Sequence, residues 1–371
     1  MKEGLSKKES AFLKGLALLM MIYHHRFIDQ NVWLFDPILG PRFQFLLDPE
    51  VTRIVSWFFK IALSLMTFVS GYGIFHIFKR TVAGTPGKRL AGNYVQVGKR
   101  LLPFYGRYWY AFIVWTIVTL LITSGLQIFS IEYLLNGLGL SCSLNGSWWY
   151  VLQYVEMMLL APFMDFYLTK LGKKIDIIKW VALACLLAMI VLIPPLRAVF
   201  TEFYKISSFQ ISYMAIFIVG YVVARWNLFG MARTQLAKLP RIAHILICLA
   251  GTAGITFLRI KLSTFPAYCQ TDFIIAPIWI LFVCELLSYV KPVLSFLGWF
   301  SKYPMYIWVM HLIFFDPFFY PITTWSGYAI GNYLTIVALT IVSSIILERL
   351  EHLVVHLLLP HIFKKSSQEK R

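Results

Sequence analysis

The chain has 371 residues, of which 59% are hydrophobic, 17% aromatic and 14% charged. An ordinary soluble domain carries about a quarter charged residues, so the composition excludes that class and points to a polytopic membrane protein. The net charge of +17 would by itself admit a nucleic-acid partner, but the way the cations are distributed argues against one.

A helix needs about 20 mostly apolar residues to cross the roughly 30 Å hydrocarbon layer. Ten windows meet this: 11–28, 54–78, 101–123, 147–169, 177–195, 207–226, 241–259, 272–290, 298–318 and 330–352. The apolar runs are unbroken, whereas barrel strands would alternate over about ten residues. The expected fold is all-α, a bundle of about ten transmembrane helices forming one integral domain over residues 1–371. With the N-terminus inside, the inward segments hold 25 of the 34 Lys and Arg; the outward segments hold seven, namely Arg26, Arg42, Arg53, Arg197, Lys205, Arg259 and Lys261. That asymmetry follows the positive-inside rule. It predicts a multi-pass protein of the cell membrane with short cytoplasmic tails at 1–10 and 360–371, and makes the basic excess an orientation signal.

The first window closes on paired histidines, Leu13-Lys14-Gly15 through Tyr23-His24-His25. Eleven residues at 100° each make three turns plus about 20°, so Lys14 and His25 share a helix face about 16 Å apart along the axis. A cation then lies near one membrane boundary and an imidazole deeper in, although histidines at a helix end also sit comfortably in the headgroup layer. The outer end of this window is too polar for a cleaved signal peptide, so the helix is expected to remain.

Lys60 in the second window can extend its ammonium outward, and His76 and Glu285 fall close to the inner boundary. The inner loop from Lys79 to Arg107 gathers seven cations, including Lys88-Arg89 and Lys99-Arg100, among Gly84, Gly87 and Gly92. Cations on a glycine-rich loop suit an anionic phosphate ligand. Glu156 lies midway along the fourth window, where an ionisable group is expensive and functional by default unless neighbouring donors satisfy it structurally. His311 lies in the outer half of the ninth, about 14 Å from its inner end at helical rise. Two helices thus present histidine to one depth range, and a neutral imidazole near pKa 6.5 can take and return a proton in acyl transfer. No third ligand accompanies the two histidines, so no metal site is expected. The five cysteines lack metal-ligand spacing; Cys142 and Cys269 fall in predicted outer loops, where a disulfide is one option.

These residues resemble the membrane-bound acyltransferase family 3, whose members carry acyl groups from acyl-coenzyme A to carbohydrates and other acceptors outside the cell membrane. The similarity covers nearly the whole chain. Lys14 stands where the family usually has Arg, and His25 rather than His24 matches its histidine. Ser70-Gly71-Tyr72 resembles the end of its second span. Of two arginines three apart before a proline, Arg100 before Pro103 matches the second; Val97 occupies the first, with Lys99 as a substitute. Trp148-Trp149-Tyr150 with Pro162, Gly220-Tyr221 with Arg225, and Ser301 through Tyr306 to His311 follow in the family's order. The family often fuses a secreted hydrolase-like domain after the last span; here the sequence ends soon after its last window, 330–352, so the chain is expected to act alone or to pass the acyl group to a separate partner.

The resemblance implies acetyl-coenzyme A as donor and a hydroxyl of a surface polysaccharide or lipid-linked glycan as acceptor, with membrane lipids around the bundle. Taken with the residues above, the expected catalytic residues are His25, with Glu156 and His311 orienting the acceptor or the histidine, and the coenzyme phosphates are expected on Lys14, Arg100 and Lys99. His25 serves either as general base or as acyl carrier. A succinyl or longer donor is an alternative. So is a transporter or flippase of a glycan or lipid precursor, since midplane polar residues in a polytopic bundle equally suit transport.

Overall fold

The computed structural model describes residues 4–28, 44–45, 48–81, 85–123, 125–170, 208–262 and 268–368. The described residues are predominantly helical; among them the sole strand-like pairing is an isolated bridge between Gln44 and Tyr328. Nine of the ten predicted windows fall largely on helix, the second divided at Lys60 and the ninth broken after Met310. The remaining one, 177–195, lies outside the described residues, as do Arg42, Arg197, Lys205 and Cys185.

The helices are α1 (Lys7–Phe27), α2 (Pro49–Phe59), α3 (Ile61–Phe78), α4 (Pro86–Ile122), α5 (Ile131–Gly137), α6 (Trp149–Lys170), α7 (Ser208–Arg225), α8 (Leu228–Leu236), α9 (Arg241–Leu262), α10 (Asp272–Leu287), α11 (Lys291–Phe300), α12 (Pro304–Met310), α13 (Tyr320–Thr323) and α14 (Ala329–Gln368). Among the described residues, four stretches are long and apolar enough to cross a membrane: Pro49–Phe78, Gly87–Ile122, Arg241–Leu262 and Ala329–Val354. Two bent pairs raise that number to six, one of them Gln210–Arg225 with Leu228–Leu236. Helices α1 and α6 are diluted by their own polar residues, among them Lys14, His24 and His25 in the first and Gln153, Glu156 and Asp165 in the second. Helix α10 has only 16 residues.

Two features differ from the sequence expectation. The cationic loop from Lys79 to Arg107 is largely helix, because α4 begins at Pro86 and runs unbroken through Pro103 to Ile122. Gly87 and Gly92 are therefore helical and form no phosphate-cradling loop. The ninth window is broken: α12 ends at Met310, a tight turn of 3-10 helix takes His311–Phe315, and the chain bends by 80° before Pro317–Thr323.

The chain forms two compact units. The first comprises 1–30, 47–101 and 150–301, and the second 31–46, 102–149 and 302–371. In the first, α3 lies centrally against α7, α1 and α10. Its contact with α7 is backbone to backbone. A Cβ on Gly71 would meet the Phe217 carbonyl oxygen at 2.0 Å, and one on Gly220 would meet that of Phe68 at 2.2 Å. Small residues are what allow helices to approach this closely where lipid removes the hydrophobic drive to associate. Gly15 does the same for α1 against α11, where Leu297 O lies 1.7 Å from an added Cβ.

The start of α1 is fixed by a capping box. Ser6 Oγ accepts from Glu9 N at 3.2 Å, and Glu9 Oε2 accepts from Ser6 N at 2.8 Å, the reciprocal pattern that satisfies orphaned helix donors. Tyr72 Oη accepts from Leu5 N at 2.7 Å. Arg233 of α8 then donates to Gly4 O at 2.6 Å and to Glu9 Oε1 at 2.5 Å. In the second unit, Trp148 is fully buried against Tyr108, Phe112 and Trp115, its ring centroid 4.8 Å from that of Trp115. Tyr306 of α12 donates to Glu351 of α14.

Gly71→Ala and Gly220→Ala are each expected to destabilise the detergent-solubilised protein by about 1–3 kcal/mol through overpacking. Gly73→Ala, where an added Cβ meets nothing within 4 Å, should stabilise it by about 0.5–1 kcal/mol. Thermal unfolding of the three variants side by side gives the two signs.

Candidate functional site

In the first unit the polar groups of α1 separate into a histidine end and a lysine end. At the histidine end, His24 and His25 have different surroundings. The His24 ring is buried, and its Nδ1–H donates to Ser56 O at 2.8 Å while Ser56 Oγ donates back to His24 O at 3.0 Å. Tyr23 reaches Thr52 on the same helix. These bonds fasten α1 to α2 and give His24 a structural task. His25 is half-buried and has the Lys60 ammonium as an electrostatic neighbour. Lys60 is the residue at which α2 ends and α3 begins, which brings its charge within electrostatic reach of the imidazole.

That helix break exposes backbone carbonyls, and Arg259 takes them up. Its Nη1 donates to Trp57 O at 2.9 Å and Phe58 O at 2.8 Å; Nε and Nη2 bind the Asp272 carboxylate side-on at 2.8 and 3.0 Å. Ser64 Oγ completes Asp272 at 2.6 Å. Arg259 and Asp272 are both 0% exposed. A desolvated pair is tolerable only when its remaining donors and acceptors are filled, and this one is filled from α2, α3, α9 and α10. Arg259, read from sequence as an outer-loop cation, is thus the buried clamp behind the His24–Ser56 contact.

At the lysine end, the Arg100 guanidinium lies close enough to repel the Lys14 ammonium and donates to the Tyr154 hydroxyl of α6. Arg89, Asn93, Val97 and Arg100 are spaced four, four and three apart, one face of α4. Lower on this face, Arg89 donates to Asp165 at 2.8 and 3.1 Å, and Asn93 and Tyr221 donate to the same carboxylate. Asp165 is fully buried. Asp165 consumes Arg89, whereas Lys14 and Arg100 keep two cations together beside a phenol. Two like charges held in one place favour an anionic ligand.

The other sequence candidates distribute differently. Lys99 is exposed and lies a 100° step round α4 from Arg100, so the structure does not bring it to the cluster. Glu156 is half-buried and accepts from Gln210 Nε2 at 3.3 and 3.4 Å; two residues past Tyr154, it points to another side of α6. His311 belongs to the second unit, is fully buried, and its Nδ1–H donates to Trp308 O at 2.7 Å, which leaves Nε2 as its basic nitrogen. Cys142 is a free thiol, and the side chain of Cys269 lies outside those described. Among the described residues no group of three His, Cys, Asp or Glu could hold a metal ion. An apolar groove of about 610 Å³ in the second unit, lined by Trp109, Phe112, Phe129 and Leu134 among others, offers no acid or base beyond Tyr133.

Sequence reasoning passed over Asp165 and Asp272, and it left Glu285 at the membrane boundary. Glu285 is buried, 2.8 Å from Arg233 and 3.2 Å from His244. The rule that singled out Glu156 applies equally to Asp165, a carboxylate inside an apolar window. Asp272 and Glu285 sit near window ends, where a charge passes for interfacial.

A family model described as an acyltransferase domain matches residues 9–349. The comparisons with curated proteins and with solved structures find no match.

Removing one partner of a buried ion pair costs about 3–5 kcal/mol because the other is left uncompensated. Asp272→Ala is therefore expected to lose stability on that scale in thermal unfolding, and Asp272→Asn, which keeps one acceptor for Arg259, to lose less.

Proposed function

Because the chain belongs to the membrane acyltransferase family 3, we propose that it moves an acetyl group from cytoplasmic acetyl-coenzyme A to a hydroxyl of an extracytoplasmic or lipid-linked polysaccharide. Membership makes it a membrane acyltransferase and sets the transporter reading aside. The observation that carries the finer reading is on α1: Lys14, gathered with Arg100 and Tyr154, lies three turns from His25 along one helix face. Coenzyme A has the same polarity, a phosphorylated end joined to a thioester end by a pantetheine arm.

In this reading Lys14 and Arg100 hold the phosphates. His25, in its neutral form, accepts the proton of the acceptor hydroxyl as that oxygen attacks the thioester carbonyl. The tetrahedral intermediate collapses with loss of the coenzyme A thiolate, and the imidazolium returns its proton to the sulfur. His24, whose Nδ1–H holds the Ser56 carbonyl, is assigned to fastening α1 to α2 and not to proton transfer. Glu156 and His311 are assigned to orienting the acceptor, and Lys99 to a peripheral phosphate contact.

His25→Ala is expected to lower acetyl transfer to the host's surface glycan by about 10²–10⁴-fold with protein level and melting temperature retained. His24→Ala should lower the melting temperature while the transfer rate per folded molecule stays near wild type. Equal loss of rate in both would sink the assignment of His25. Arg100→Ala should weaken acetyl-coenzyme A binding by about 1.5–3 kcal/mol, the worth of a charge-assisted contact, read by calorimetry on the solubilised protein.

A further inference from the structure

Gln153 is a polar side chain of α6 that the mechanism does not use. It is 1% exposed, and neither its carboxamide oxygen nor its nitrogen has a hydrogen-bond partner. In an apolar interior each such group costs free energy unless something pairs it, and leucine would fill the same space without that cost. A carboxamide kept here is therefore explained by a ligand that occupies it.

Its neighbours along α6 say which ligand. Tyr150, Gln153, Tyr154 and Met157 follow the i, i+3, i+4, i+7 pattern of one helix face, and Tyr150, Gln153 and Met157 are all buried. Tyr150 Oη bonds Thr67 Oγ1 at 2.6 Å, seven residues along α3 from Lys60 and so about 10 Å from the His25 end at helical rise. Tyr154 takes the hydrogen bond of Arg100, beside Lys14. Gln153 thus stands between the cation cluster and the level of the imidazole, the stretch that the middle of the donor must cross. A carboxamide offers one acceptor and one donor edge side by side, the complement of a secondary amide, and the pantetheine arm carries two secondary amides.

We infer that Gln153 is a donor-binding residue whose carboxamide pairs with an amide of the pantetheine arm, an inference that rests on the coenzyme A reading above. Pairing with the arm would hold the extended chain in the apolar interior and carry the thioester toward His25. A sugar hydroxyl also donates and accepts, but it belongs at the imidazole and not beside the phosphate cations.

The test uses the full-length solubilised protein, with calorimetric titration of coenzyme A and of the adenosine bisphosphate fragment that lacks the arm. In Gln153→Leu, coenzyme A affinity is expected to fall about tenfold or more, the equivalent of about 1.4 kcal/mol, with affinity for the fragment unchanged. The unliganded variant should melt at or above the wild-type temperature, since an unpaired buried amide has been removed; a purely structural role predicts a lower one. Gln153→Asn, which keeps the amide on a shorter stem, should recover part of the affinity. Wild-type coenzyme A affinity in Gln153→Leu overturns the inference and leaves the donor reading standing. So does a change confined to the KM of the glycan acceptor, or equal loss for coenzyme A and fragment. Wild-type protein that binds neither ligand overturns the donor reading and this inference with it.

Discussion

The approach of α3 to α7 through Gly71 and Gly220 is the constraint on which the first unit depends. Each glycine removes a Cβ where the facing helix presents backbone, at Phe217 and Phe68 respectively. With the two axes that close, α3 becomes a central post. It carries Ser64 to Asp272, Thr67 to Tyr150 and Tyr72 to the start of α1. Each is a polar contact of a few ångströms' tolerance, so a shift of the post would strand several of them at once. Both glycines lie in segments that resemble family landmarks, and their physical duty is to let two helices touch.

Around that post the protein satisfies its buried charges in separate closed groups. Arg259 with Asp272 stabilises the break at Lys60, and Arg89 with Asp165 fixes the first turns of α4 to α6. Arg233 with Glu9 and Glu285 ties α1, α8 and α10. In each group an arginine fork meets a carboxylate, the geometry in which planar donors fill both oxygens. The clusters differ in one respect that bears on chemistry. Lys14 and Arg100 come together with a phenol between elements, and His25 has a cation for a neighbour. Paired charges hold the scaffold; Lys14 beside Arg100 is instead a meeting of like charges.

The two histidines of α1 illustrate how adjacent residues divide labour. A 100° step on the helix turns His24 toward the Ser56 carbonyl and His25 toward Lys60. One ring supplies a hydrogen bond that stabilises the junction of α1 and α2; the other has a cation for a neighbour. The same step separates Arg100 from the exposed Lys99 on α4.

Much of this was legible in the residues alone. Apolar windows located nine of the helices, since burial of a continuous run in lipid leaves the backbone no alternative to internal hydrogen bonds. The eleven-residue spacing of Lys14 and His25 sufficed to align them, because helix geometry is local. Where the reading failed, the decisive contacts were long-range. Nothing local distinguishes Arg259 as a clamp from Arg53 at a helix surface, because the difference is Asp272 arriving from another helix together with two carbonyls freed at Lys60. The cations after Lys79 read as a loop because charge and glycine suggest one, yet α4 absorbs them once Asp165 satisfies Arg89. The orphaned amide of Gln153 has no signature in composition or periodicity at all. An unpaired group is defined by what all its neighbours fail to offer, and only the packed helices establish that.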